Sequence, residues 1–283
     1  MNRVCFYHAG CPDGFGAAWA VWNAWGDAGR FVARGHDDPL DATRLEGDQV
    51  VFVDIAPNNE ILARLMESAV QVIVLDHHLS SLQRYRLDPS LERDAERGGH
   101  RIHFDLTHSG AVLAWNAFLG DTEVPDLLRY VEDQDLWNWK LPRSEEVNAA
   151  IASFPRSFET WTELASRPVV ELADEGAPIV RANRMEVERI LSTAHPISLD
   201  GERIEAVNTT QNRSVVGHEL AKRSAFQRPW GCVYRVVGRR VDASLYSIGD
   251  LDVSRVAQRL GGGGHRNAAG FSVTLERWLA DFA

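Results

Sequence analysis

The stretch Gln71 to Ser80, QVIVLDHHLS, sets Asp76, His77 and His78 directly after a run of apolar and β-branched residues. One carboxylate beside two imidazoles is a donor set for a borderline divalent ion such as manganese, zinc or iron. A histidine that caps the next turn and another that faces solvent would give the same three letters. The weight of the pattern therefore depends on what stands at the other strand ends. His8, Cys11 and Asp13 follow Val4 to Tyr7, and Asp54 stands near the end of QVVFVDI, Gln49 to Ile55. In LLRYVEDQDLWNW, Leu127 to Trp139, the acids Glu132, Asp133 and Asp135 are embedded among apolar residues. Buried acids need partners, and a metal provides one. Late in the chain, Gly261 to Gly264 precede His265 and Arg266. Consecutive glycine N–H groups can cradle phosphate oxygens, with the imidazole and guanidinium as further donors. A hinge is the plainer reading of four glycines, but it does not explain why the small residues AAG follow so closely.

These residues need elements to position them. Val72 to Leu75 has no polar alternation, which predicts a strand covered on both faces, as in a parallel sheet flanked by helices. Ligands bind such sheets at the C-terminal edge. Val4 to Tyr7 and Gln49 to Ile55 read the same way, separated by the helix GFGAAWAVWNAW and followed by a helix over Glu60 to Ser68. The β-α-β-α-β order implies parallel strands with right-handed crossovers, which puts all three strand ends on one edge. Gly14 and Gly16 permit close backbone approach, and Asp13 reads equally well as a helix cap. Trp19, Trp22 and Trp25 form a core or interface stripe. RIHFD, Arg101 to Asp105, reads as a further strand, and Ser109 as the N-cap of a buried helix. His103 and His108 are read as structural. The polar stretch Gly35 to Asp48 and the charged stretch Arg84 to Arg101 offer little.

The second half begins with a helical segment over Asn148 to Ala165 and a long mixed-charge helix, EGAPIVRANRMEVERIL. Beyond it come the strand ERIEAVN, a helix over Val215 to Lys222, the strands WGCVYRVV and RRVDASLYS, and a helix over Val253 to Leu260. The expected division is an α/β catalytic domain over 1–165, a helical connector over 166–196 and a smaller α/β domain over 197–283.

With 283 residues, 45% hydrophobic and 25% charged, the chain can bury two cores. No apolar run approaches the roughly 20 residues of a membrane span, and the chain opens on a strand instead of a signal peptide, so the expected location is cytoplasmic. Three scattered cysteines suggest neither a disulfide framework nor a four-cysteine zinc site. A net charge of −10 argues against tracking along nucleic acid while leaving room for a local basic pocket.

HAGCPDGFGAA, VVFVDIAP, VIVLDHH, YVEDQDLW and GGGGHRNAAG, in this order over nearly the whole chain, resemble the DHH phosphoesterases with their associated C-terminal domain. The resemblance implies a parallel-sheet catalytic domain, a smaller lobe that closes over the cleft, and usually two manganese ions, with zinc or magnesium as alternatives. It implies His8, Asp13, Asp54, His77 and Asp133 as metal ligands, with Asp135 in reserve for Asp133. Asp54 would bridge two ions, Asp76 would orient His77, and His78 would face the scissile phosphate. Gly262, Gly263, Gly264, His265 and Arg266 would hold substrate phosphate. Cys11 departs from the family's Asp-x-Asp, so a thiolate ligand and a softer ion are implied as an option. Tyr246 stands where relatives often carry an arginine, which leaves Arg266 or base stacking on the ring as substitutes. The implied reaction is hydrolysis of short single-stranded oligonucleotides by a metal-activated water. Polyphosphate or pyrophosphate hydrolysis and a weakened nucleotide-binding module are the alternatives. A homodimer through the Trp-rich helix is admitted by the sequence, and membrane association is not.

Overall fold

The computed structural model describes residues 1–36, 38–120 and 122–282, which divide into two compact units, Met1–Val180 and Arg181–Ala283. The first unit is built on five strands: β1 (Arg3–His8), β2 (Gly29–Arg34), β3 (Gln49–Val53), β4 (Gln71–Asp76) and β5 (Arg101–Phe104). They run in the order β2-β1-β3-β4-β5, and every neighbouring pair is parallel. Successive side chains leave a strand on opposite faces, so Val50 and Phe52 enter one core while Val51 and Val53 enter the other. Two covered faces explain the unbroken apolar runs of β3 and β4.

One core lies under α1 (Pro12–Trp25), α5 (Gly110–Leu119), α6 (Asp126–Asp135), α7 (Ser144–Ser153) and α8 (Phe158–Ser166). Trp19 stacks on Trp115 at 5.5 Å, and Trp22 stacks on Phe158 at 5.2 Å, so the tryptophan stripe is core packing. The other core takes Leu62 and Leu65 from α2 (Asn59–Ser68) and Leu91 from α4 (Pro89–Gly98).

The charged stretch, featureless in sequence, contains the end of α3 (Leu79–Arg86) and all of α4. Asp88 caps α4 by accepting from Ser90 N–H, Pro89 opens it, and Gly99 closes it in the left-handed conformation. Leu91 and Ala95, one turn apart, are its buried stripe. Strand β2 has no counterpart among the expected elements. It is an edge strand with mixed exposure and with Arg30 and Arg34 near its ends, so its apolar signal is short.

The second unit carries β6 (His195–Leu199), β7 (Glu202–Asn208), β8 (Trp230–Val237), β9 (Arg240–Ser247), β10 (Gly263–His265) and β11 (Ala268–Thr274) in the order β10-β11-β9-β8-β7-β6. Only β7 and β8 pair in parallel among the described strands of this sheet. The β6–β7 turn uses Asp200 and Gly201, both at positive φ, the Asp-Gly chemistry of a tight hairpin. Helices α10 (Arg213–Arg223), α11 (Val253–Arg259) and α12 (Leu275–Asp281) complete this unit. The boundary between the units falls inside α9 (Val169–Leu191): Leu172 and Ala173 belong to a core of the first unit, Val187 and Leu191 to a core of the second. No described helix is long and apolar enough to cross a membrane.

Candidate metal centre

Parallel strands deliver His8, Asp54 and Asp76 to the same edge, because His8 and Asp76 end β1 and β4 and Asp54 follows β3. Helix α1 starts there as well, with Cys11 as its N-cap: Sγ accepts from Gly14 N–H at 3.2 Å. Gly14 is required, since a Cβ there would lie 2.2 Å from the His8 carbonyl oxygen. Asp13, in the first turn, accepts from Gly110 N–H (2.7 Å) and Ala111 N–H (2.9 Å), which open α5 behind its Ser109 cap. The dipole and unpaired amides of that helix end hold the carboxylate in place. A Cβ on Gly110 would come within 2.4 Å of the Asp54 Cβ, so glycine lets α5 approach this closely.

Asp54 lies between two groups of donors. Its Oδ2 is 3.3 Å from His8 Nδ1 and accepts from Cys11 Sγ at 3.3 Å, while its Oδ1 is 3.0 Å from His77 Nε2. On the far side His77 Nε2 lies 3.5 Å from both Asp13 Oδ2 and Asp135 Oδ2. Two sets, His8–Cys11–Asp54 and Asp13–His77–Asp135, each bring their donor atoms within 4.8 Å of one another. Asp54 itself sits at φ 57°, a strained backbone for a non-glycine residue.

Two expectations are corrected here. Asp133 does not reach the centre: its carboxylate accepts from the backbone N–H groups of Lys140 and Leu141 and pins the loop after α6. Asp135, two residues on, is the acid of this helix that approaches His77. Glu132 is occupied elsewhere, accepting from Ser109 N–H and pairing with His108. Asp76 does not orient the His77 ring. It accepts from the His77 backbone N–H at 2.8 Å and holds His78 Nδ1 at 2.7 Å. Sequence reasoning missed His36, which follows strand β2. Exposed as a residue, it has its ring 4.8 Å from that of His8 and 5.3 Å from that of His78.

The late glycines also differ from expectation. Gly261 ends α11 at φ +84°, and Gly262 N–H donates to the Ala257 carbonyl, so neither serves as an open cradle. A Cβ on Gly262 would stand 1.9 Å from the Gly270 carbonyl oxygen, and one on Gly264 would stand 2.7 Å from that of Ala268. These glycines permit the close β10–β11 hairpin, with Arg266 and Asn267 at its tip. Arg266 pairs with Asp250 at 3.1 Å. Tyr246 is buried over Gly217, with its hydroxyl 3.3 Å from the Ser214 hydroxyl, which makes it part of the packing of α10 instead of a stacking platform.

Burial pushes Asp13 well above the usual carboxylate range, and the Asp54 and Asp135 charges add to the rise. Burial acts against ionised Asp54 too, but hydrogen bonds from His77 and His8 outweigh it and hold that carboxyl well below its ordinary value. Desolvation disfavours protonated His77, yet the Asp54 hydrogen bond, with Asp13 and Asp135, lifts it to about 10. Cys11 is raised by burial and then by the same three carboxylates. Asp13, Asp54 and Asp76 are no more than 1% exposed, and among the described residues their ion-pair partners are histidines alone. Asp76 Oδ2 is buried without a hydrogen-bond partner among the described residues. Crowded buried carboxylates, of which Asp13 and Asp135 are raised, paired with imidazoles instead of lysines or arginines, fit divalent cations.

No family model matches the sequence. The chain is 26% identical to an uncharacterized protein of Acanthamoeba polyphaga mimivirus, covering 96% of this chain and 67% of that one. Among solved structures it superposes on the DHH domain of a member of a ribosomal-protein family with a TM-score of 0.54 at 14% identity, over 98% of this chain and 84% of that one. An exopolyphosphatase-related protein from Bacteroides fragilis gives a TM-score of 0.54 at 13% identity, over 96% and 86%. The chain has the fold of a DHH domain. RecJ from Thermus thermophilus, determined in complex with Mn2+, superposes with a TM-score of 0.50 at 18% identity, over 99% of this chain and 50% of that one.

Proposed function

We propose that the protein is a metal-dependent phosphoric ester hydrolase acting on short single-stranded oligonucleotides. The observation that carries this reading is the placement of Asp54 between two donor sets, His8–Cys11–Asp54 and Asp13–His77–Asp135. Two divalent cations held there, manganese first among them, would neutralise phosphate charge and make water nucleophilic at neutral pH. His8, Asp13, Asp54, His77 and Asp135 would hold them, with Cys11 as a softer donor.

The remaining residues bind, orient and move protons. Asp76 fixes the His78 ring through Nδ1, so that the imidazole is held in one tautomer and stabilised when it takes up a second proton. Burial opposes that second proton and Asp76 more than offsets the opposition, which raises His78 above its ordinary value. His78 is therefore suited to donate to a phosphate oxygen or leaving oxygen from a defined position. In the second unit, His265 and Arg266 on the β10–β11 hairpin are the proposed contacts for substrate phosphate or a terminal nucleotide. Gly262 and Gly264 shape that hairpin.

The test is turnover of end-labelled 5-mer RNA and DNA by metal-stripped protein, with manganese, magnesium, zinc or nothing restored and inorganic polyphosphate in parallel. Release of mononucleotides on restoring manganese, lost in His77→Ala and Asp54→Ala, is the expected result. Phosphate from polyphosphate without cleavage of either oligonucleotide would assign the centre to phosphoanhydrides. Binding without turnover under every metal would make it a nucleotide-binding module.

A further inference from the structure

His36 belongs to no sequence motif, yet its ring joins those of His8 and His78 in a group whose donor nitrogens all lie within 4.8 Å of one another. The three imidazoles come from three separate places at the sheet edge: the end of β1, the turn after β2 and the segment after β4. Ring centroids are 4.8 Å apart for His8–His36, 5.3 Å for His36–His78 and 5.7 Å for His8–His78. Three converging imidazoles beside the Asp54 and Asp76 carboxylates stand in a negative environment, which selects a cation over an anion at His8 and His36. Imidazole nitrogens suit zinc, at about 2.0–2.1 Å, and iron or cobalt better than manganese, whereas magnesium prefers oxygen and retained water.

We propose that His36 is a further metal ligand, one that joins His8 on the β1–β2 side of the centre, beside the proton-donating His78, and tilts that position from magnesium toward nitrogen-loving transition metals. The proposal rests on the reading of the Asp54 cluster as a metal centre. Its role is separable from catalysis, because it predicts which ion is held and through how many nitrogens.

The experiment is titration of metal-stripped wild-type, His36→Ala and His36→Gln proteins with Mn2+, Zn2+ and Mg2+ by calorimetry, together with pulsed EPR of the Mn2+-loaded forms to count coupled histidine nitrogens. His36 is exposed as a residue, and circular dichroism with thermal melts verifies that the variants fold. Both variants should bind Zn2+ or Mn2+ at least about tenfold more weakly, keep their Mg2+ affinity, and lose one nitrogen coupling. Equal affinities, or an unchanged nitrogen count in both variants, would overturn the proposal while leaving the metal centre standing. A wild-type protein that takes up no divalent ion would overturn the metal-centre reading and this proposal with it.

Discussion

Asp133 and Asp135 stand two residues apart on α6, and positions so spaced do not share a helix face. One therefore turns to the loop and the other to His77. Replacing Asp133 with alanine leaves the Lys140 and Leu141 N–H groups without their acceptor, at a cost of about 1–3 kcal/mol. Urea denaturation of the metal-free protein should show that loss. Asp135→Asn removes a carboxylate that burial disfavours in its ionised form and that raises Asp13, against the loss of one charge partner of His77, so the metal-free form should change little in stability while Mn2+ affinity falls by about tenfold or more. If both variants were destabilised alike and bound metal alike, this division of labour would be wrong. Protons compete with metal at the same atoms. In the metal-free protein His77 is lifted to about 10 from an unfolded value of about 6.5, so its proton stabilises the fold fully below pH ~6.5 and that contribution fades as pH rises toward 10. Metal bound at these atoms would displace the His77 proton, and the upward shifts of Asp13 and Asp135 act in the same direction. Mn2+ affinity should therefore rise between about pH 6 and 8 with net proton release, measured by calorimetry in buffers of different ionisation enthalpy. An affinity independent of pH would contradict the assignment of ligands.

At the level of elements, the β1, β3 and β4 strands and the shared edge of their ends were legible in the sequence, because a strand with two covered faces is apolar throughout. Strand β2 was not, since an edge strand with arginines near both ends buries too little to leave a run, and His36 was lost with it. The choice between Asp133 and Asp135 was equally hidden, because it depends on how α6 is rotated and on a loop that folds back upon it. The Gly261–Gly264 run was visible but admits two physical meanings, open amides or close packing, and only the backbone geometry separates them. Close packing makes a graded prediction. Gly262→Ala should cost about 1–3 kcal/mol by collision with Gly270. Gly261→Ala has open space and is penalised only through its positive φ, by roughly 1 kcal/mol. Chemical denaturation of the two variants ranks them, and a reversed order would refute the packing account.

For the whole molecule, a net charge of −10 opposes the approach of long polyanions more than short ones, since repulsion accumulates over every phosphate within a Debye length of the surface. Turnover should favour oligonucleotides of a few residues over 20-mers, and the disparity should shrink as salt rises from about 0.05 to 0.3 M. A preference for long chains at low salt would refute the proposed substrate class. Helix α9 bears on how the chain can be divided. A fragment ended at residue 165 would surrender Leu172 and Ala173 from the core beneath the tryptophans, and one begun at 197 would surrender Val187 and Leu191 from the core beneath α10. Both pieces would expose apolar surface that the full chain covers, and a cut at 180 would halve the helix itself. The same 23 residues thus cannot be assigned wholly to either piece, so a protease nick anywhere along them would strip packing from at least one core while leaving every residue around Asp54 in the chain.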